Sequence, residues 1–376
     1  MTEKIRRFLR DQQPATPCLV VDLDVVGENY DRLHRLLPRA EIYYAVKANP
    51  AVPVVRLLAE KGSCFDTASI QEIDLCLSAG APAARLSFGN TIKKQSDIAA
   101  AFARGVDLFA FDSRAELEKL AVAAPGSRVF CRVLMDCAGA EWPLNRKFGC
   151  ELEMARDLML QARELGLDPY GLSFHVGSQQ TDLDQWDLAI GRTMMVFTQL
   201  NEAGIELRML NLGGGFPAQY RRDIPALEAY ADAINRAVEH HFGNRMPRLI
   251  IEPGRGMTGD AGIIQSEVVL ISEKGYNEKR RWVFLDIGKF GGLAETMDES
   301  IQYRIRTPHD GGETGAVVLA GPTCDSADVL YDKADYKLPM ALRIGDKVEI
   351  HATGAYTTSY SAVGFNGFPP LSEHYI

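Results

Sequence analysis

A lysine closes the apolar run IYYAV, at Lys47 in YYAVKANP. An amine at the end of a strand, partly desolvated, has its pKa drawn toward neutrality and becomes a nucleophile; a surface lysine just past a strand is an equally weighted alternative. Two glycine-rich turns follow later apolar runs, LNLGGGFP at 210–217 and IEPGRGM at 251–257. Glycines let backbone approach a ligand and aim N–H groups at an anion, so Gly213, Gly214, Gly215 and Gly254 are candidates for a phosphate site. Arg255 would add charge there, or serve a structural ion pair. Glu252 ends the run RLIIE, which is too apolar to bury a carboxylate without a partner. A protonated ring nitrogen is one such partner and a structural arginine the other. His175, in SFHVGS, is by itself more simply a satisfied core histidine. Convergence with Lys47, Asp66, Gly213 and Glu252 at the ends of apolar runs makes it a functional candidate.

Positioning these residues requires parallel strands whose C-terminal ends share one face. Eight apolar runs recur, at 42–46, 63–67, 85–89, 107–112, 128–135, 171–177, 208–213 and 248–252, with helical segments such as SIQEIDLCLSAGA and LEAYADAINRAVEHHF between them. Eight strands alternating with seven helices predict a (β/α)₈ barrel rather than a doubly wound open sheet. The two glycine turns then follow strands seven and eight, where barrels often bind phosphate. Ser113 and Asp223 are expected helix N-caps, and Gly62, Gly80 and Gly166 helix stops. After about residue 262 the pattern changes: SEVVLIS, RRWVFLDIG, AVVLAG and DKVEIHATG are strand-like with little helix between them. The expected organisation is a barrel over 25–262 and a C-terminal β-rich domain over 263–376, joined by 1–24, whose PCLVVDLD also reads as a strand. GKFGGLAETMDESIQY is expected as a loop or short helix inside that second domain.

The chain has 376 residues, 46% hydrophobic, with a net charge of −9. That charge argues against nucleic acid and gives cationic substrates some attraction. No run of about 18 apolar residues exists to span a membrane, and MTEKIRRFLRDQQPATP lacks a signal-peptide core, so a cytoplasmic location is expected. The seven cysteines are scattered without a CxxC pair, which fits reduced thiols and no metal site. Cys131, inside RVFCRVL, is expected to be a small core residue.

Taken together and in order, YYAVKANP, FDTAS, SFHVGS, LNLGGGFP, EPGR, GPTCDSAD and GAYT followed by FNGF span residues 43–368. This set resembles the fold-type III pyridoxal-phosphate decarboxylases, most closely the ornithine decarboxylases with their bacterial lysine/ornithine variants. The resemblance implies the barrel-plus-β-domain architecture of alanine racemase-like folds, pyridoxal 5′-phosphate as cofactor and a small cationic amino acid as substrate. By position, Lys47 resembles the lysine that carries the cofactor. Glu252 resembles the carboxylate on its ring nitrogen, and His175 the residue stacked on its ring. Ser178, Gly213 to Gly215, Gly254, Arg255 and Tyr356 resemble the phosphate cradle, and Asp66 and Arg132 the pair flanking the lysine. Cys324 resembles the cysteine that protonates Cα after carbon dioxide leaves, and Asp325 the acid that receives the distal amine. The family's homodimer, with active sites shared between subunits, is implied too, and Lys147 and Asp328 match the pair that bridges it.

The chain departs from the eukaryotic enzymes in GKFGGLAETMDE, where Glu295, Thr296 and Asp298 are all candidates for the substrate-binding aspartate. Ornithine conversion to putrescine, with lysine conversion to cadaverine beside it, is the implied reaction. Diaminopimelate decarboxylase is the nearest rival, but its cysteine motif continues Glu-Ser rather than Asp-Ser. Alanine racemase fits less well, since its Ala-Tyr-Gly continuation is absent after KANP. A non-catalytic regulatory relative is the rival from another class; such relatives lose catalytic positions that this chain retains.

Overall fold

The computed structural model describes residues 1–142 and 147–376. The chain divides into two compact units, one of residues 27–217 and 224–256, the other of residues 1–26, 218–223 and 257–376.

In the first unit eight parallel strands close a barrel: β1 (Ala40–Ala45), β2 (Cys64–Thr67), β3 (Leu86–Phe88), β4 (Leu108–Phe111), β5 (Arg128–Arg132), β6 (Asp168–Ser173), β7 (Met209–Asn211) and β8 (Arg248–Ile251). Closure comes from β8 pairing with β1, Leu249 opposite Ala40. Seven helices connect them: α1 (Val52–Glu60), α2 (Ile70–Ser78), α3 (Gln95–Ala103), α4 (Arg114–Ala123), α5 (Leu152–Glu164), α6 (Asp184–Glu202) and α7 (Leu227–Phe242). The strands read as unbroken apolar runs because both faces are covered. One core cluster joins Tyr43, Cys64, Leu108, Ala110, Phe130, Met209 and Ile250, drawn from six of the strands.

Local signals set the helix ends. The Ser69 and Ser113 side chains accept the N–H groups of Glu72 and Glu116, and Gly62, Gly80 and Gly166 take positive φ just past α1, α2 and α5. Asp223 does not cap α7, contrary to expectation: the helix begins at Leu227 behind Ala226. Pro225 is the reason, because a residue before proline is kept out of the helical region. Ile224 therefore cannot continue a helix begun at Asp223. Cys131 is fully buried, as its apolar surroundings predict.

In the second unit, β9 (Gly262–Ser272) pairs antiparallel with β10 (Arg281–Leu285) and β12 (Lys347–His351), while β10 runs parallel to β11 (Thr314–Ala320). A parallel neighbour needs a crossover connection. The stretch between β10 and β11 provides it and contains the short 3₁₀ segment Ala294–Glu299. The strand Cys18–Val21 joins this sheet between β9 and Ser372–Tyr375. Ile5 and Leu9, on the amphipathic helix Glu3–Gln12, pack there against Cys18, Val20 and Ile263. Among the described residues no helix is long and apolar enough to cross a membrane.

Candidate active site

Parallel strands present their C-terminal ends at one rim, where barrel enzymes hold their chemistry. Lys47 lies just past β1, Asp66 within the last residues of β2, Arg132 at the end of β5, His175 past β6, Gly213 to Gly215 past β7, and Glu252 directly after β8. Lys47 is 47% exposed and its Nζ stands 3.3 Å from Oδ2 of the buried Asp66. Ser87 Oγ donates to the other Asp66 oxygen at 3.2 Å.

The rim between β7 and β8 is built most tightly. Asn211, the last residue of β7, donates from Nδ2 to Glu252 Oε1 at 2.5 Å and accepts the Gly213 N–H on Oδ1 at 2.9 Å. One buried side chain thereby ties the carboxylate to the glycine turn. Gly213 has φ of +67°, and a Cβ there would lie 2.2 Å from the Phe174 carbonyl oxygen. A Cβ on Gly214 would lie 2.7 Å from the Glu252 carbonyl oxygen and 3.2 Å from His175 Nε2. Only bare backbone fits this cradle.

Electrostatics follow from burial. Desolvation pushes the Glu252 carboxyl up to about 7, helped by the Asp66 charge, while Lys47, the Asn211 hydrogen bond and Arg132 pull it back down. Desolvation likewise holds His175 well below its usual range, reinforced by Arg132 and Lys47. Nδ1 of His175 accepts the Gly177 N–H at 3.0 Å, which places the proton of the neutral ring on Nε2. Arg132 lies over the Phe148 ring at 5.2 Å, and burial lowers its pKa. Arg255 donates to Ser178 Oγ from Nε and Nη2, at 3.4 and 3.3 Å.

The rim also carries groups that sequence reasoning passed over. Asn211 is one. Glu72, the third residue of α2, accepts the Ala68 N–H at 2.6 Å, and burial raises its pKa against the opposing pull of that hydrogen bond and the Lys47 charge; the S-x-x-E spacing was its available signal. Lys93, buried beside β4, donates to the carbonyl oxygens of Asn90 and Ala110 at 2.7 and 2.6 Å and pairs with Glu116 at 3.0 Å. Desolvation lowers its pKa to about 8.

These residues fit pyridoxal phosphate. The desolvated Glu252 carboxyl suits a ring N–H, the neutral His175 ring suits a flat heteroaromatic face, and the cradle that excludes any Cβ, with Ser178 and Arg255, suits a phosphate. Lys47 is the amine available to an aldehyde.

In the other unit, Cys324 stands exposed in the GPTCD loop. The buried Asp328 carboxylate organises that loop from within, accepting Thr323 N–H and O–H at 3.2 and 2.7 Å and the Lys289 N–H at 2.8 Å. A Cβ on Gly288 or Gly321 would fall 2.1 or 2.3 Å from its oxygens. Asp325 caps its own turn through the Ala327 N–H at 2.8 Å. Tyr356 takes a left-handed φ of +55°. In Ala294–Glu299, Glu295 and Thr296 are buried, with Thr296 donating to the Leu293 carbonyl, whereas Asp298 is exposed at φ +52°. Lys147, back in the barrel unit, is exposed with Nζ 4.9 Å from the Phe148 ring.

Comparison with known proteins agrees with this geometry. The family model "Pyridoxal-dependent decarboxylase, pyridoxal binding domain" matches residues 23–259. A lysine/ornithine decarboxylase of Selenomonas ruminantium is 36% identical over 98% of this chain and 91% of its own. Antizyme inhibitor 2 of Xenopus laevis is 32% identical, covering 100% of this chain and 84% of its own. The crystal structure of the Paramecium bursaria Chlorella virus arginine decarboxylase bound to agmatine superposes with a TM-score of 0.90 at 28% identity, covering 100% of both chains.

Proposed function

The chain belongs to the fold-type III pyridoxal-phosphate-dependent decarboxylases, and within that family we propose that it converts L-ornithine to putrescine, with L-lysine to cadaverine as a second reaction. The observation that carries a catalytic reading is the intact rim: Glu252 tied by Asn211 to the glycine turn, beside neutral His175 and the Lys47–Asp66 pair. The Selenomonas relative supports the substrate class.

When bound, pyridoxal phosphate supplies an electron sink for the electron pair left as carbon dioxide departs. The chain's part is to bind and to place protons. Lys47 would hold the cofactor through its amine, with Asp66 3.3 Å from its Nζ. Ionised Glu252 would keep a ring N–H protonated; because burial raises its pKa, it would need that cation beside it to stay charged at neutral pH. Neutral His175 would cover the ring without adding a competing charge. Gly213 to Gly215, Gly254, Ser178 and Arg255 would hold the phosphate, and Arg132 lends positive charge to Glu252 and Asp66. Cys324 gives its Sγ proton to substrate Cα, and Asp325 receives the distal ammonium. Of the three candidates in the 3₁₀ segment, exposed Asp298 is the second acid for that ammonium, in preference to buried Glu295 and Thr296.

We propose a homodimer with shared active sites, each Cys324 and Asp325 serving the other subunit, bridged by Lys147 and Asp328. Mixing Lys47→Ala with Cys324→Ala protein would then restore about a quarter of wild-type activity, as random pairing of C₂ subunits requires.

The deciding experiment incubates cofactor-loaded protein separately with ornithine, lysine, arginine and meso-diaminopimelate. Dominant putrescine supports the proposal, and comparable cadaverine makes the enzyme dual. Agmatine from arginine, or lysine from diaminopimelate, overturns the substrate assignment. No product from any of the four favours the regulatory reading to which the antizyme inhibitor relative belongs.

A further inference from the structure

Cys324 is the one exposed thiol among the described residues. An exposed loop is a poor place to fix the direction of a proton, since a free thiol samples several rotamers. The FNGF turn supplies what the loop lacks. Asn366 Oδ1 accepts the Cys324 backbone N–H at 2.9 Å and the Cys324 S–H at 3.2 Å. One amide oxygen thus holds both the main chain at the loop tip and the rotamer of the sulfur.

The turn is built for this reach. Asn366 has φ of +51°, with Gly364 at +70° and Gly367 at +76° on either side. Asparagine is among the few non-glycine residues at home in that left-handed region. The neighbouring Phe365 ring packs against Phe290 at 4.6 Å between centroids, which anchors the turn. On the other side of the loop, Asp328 takes both donors of Thr323. Residues 323 and 324 are therefore held by separate side chains, 328 and 366.

We propose that Asn366 is the positioning residue for the Cys324 thiol; this rests on the proton-donor role given to Cys324 above. An amide oxygen accepts a hydrogen bond without removing the proton, so it fixes where the sulfur stands, and rotation about Cβ–Sγ then turns the S–H from Asn366 to the substrate. On transfer the S–H bond breaks, the proton bonds to substrate Cα, and the thiolate is left beside Asn366 until water reprotonates it.

The test uses the full-length protein and two variants. Asn366→Gly removes the acceptor while keeping a residue suited to positive φ, and Asn366→Asp keeps an acceptor oxygen at the same place. In cofactor-free protein, iodoacetamide alkylation of Cys324, followed by peptide mass, should speed up roughly three- to ten-fold in Asn366→Gly, the scale of one lost hydrogen bond. Asn366→Asp keeps the acceptor and adds a charge that disfavours the thiolate, so it should be no faster than wild type. In loaded enzyme, Asn366→Gly should lower kcat by a similar factor with KM changed less than about two-fold, and raise the share of aldehyde over amine product. A proton delivered to the cofactor's carbon instead of Cα would leave the substrate to be released by water as an aldehyde, its nitrogen and the electron pair staying on the cofactor, which would end in its amine form. Unchanged alkylation and an unchanged amine-to-aldehyde ratio in a normally melting Asn366→Gly protein would overturn the proposal. If wild type decarboxylates nothing, the functional reading fails, and the alkylation comparison still decides the contact.

Discussion

The barrel rim and the Cys324 loop hold their reactive groups by opposite means. At the rim, chemistry comes from burial: desolvation moves Glu252 up to about 7 and His175 well down, and strand ends fix both. At the loop, Cys324 is exposed, and order comes from hydrogen bonds made by Asp328 and Asn366. The rim must stay set while a cofactor remains in place, so it is assembled from parallel strands whose ladders cannot slip singly. In the role proposed for it the loop has only to present one proton, and a few side-chain hydrogen bonds suffice.

Lesions should therefore separate the two regions. The largest effect is expected from Lys47→Ala, which should lose the visible absorption of bound cofactor after dialysis and at least about three orders of magnitude of activity. Retained absorption would break the assignment of the rim. Cys324→Ala should lose about 10²-fold in amine formation, the usual scale for a positioned acid, with the cofactor absorption intact. Loss of that absorption too would mean that the two regions are not separable.

Glu252→Gln sharpens the claim about burial. A carboxyl raised from 4.5 to about 7 makes its full contribution to stability below about pH 4.5 and loses it as pH climbs through about 7. Cofactor-free Glu252→Gln should thus show a smaller fall in Tm over that window than wild type. Equal slopes would mean that the rim does not desolvate the group. The smallest effect is expected from Asp328→Ala. Leaving three donors without their acceptor should cost about 1–3 kcal/mol in denaturant unfolding and speed Cys324 alkylation, and loss of the proposed bridge to Lys147 should weaken the dimer, with the cofactor absorption unaltered.

Much of the rim was legible because each residue there ends an apolar run: in a parallel barrel, the run's C-terminal end is the rim. Lys47, His175, Gly213 and Glu252 could be placed by that rule alone, and the eight runs coincide with β1 to β8. The strands of the second unit were equally plain from SEVVLIS, RRWVFLDIG, AVVLAG and DKVEIHATG. Asp223 misled because a capping residue type says nothing about the proline two positions on.

The sequence by itself determined the alternation of strands and helices, and hence the end of the barrel at which chemistry must lie, because periodicity and turn residues act over a few neighbours. Tertiary structure decided who partners whom. Asn211 reaches Glu252 across 41 positions and Asn366 reaches Cys324 across 42. An asparagine near a glycine turn looks alike in sequence whether it caps its own backbone or orients a distant side chain. Only the register of β7 against β8 and the left-handed winding of FNGF bring those oxygens and donors within 3.2 Å or less.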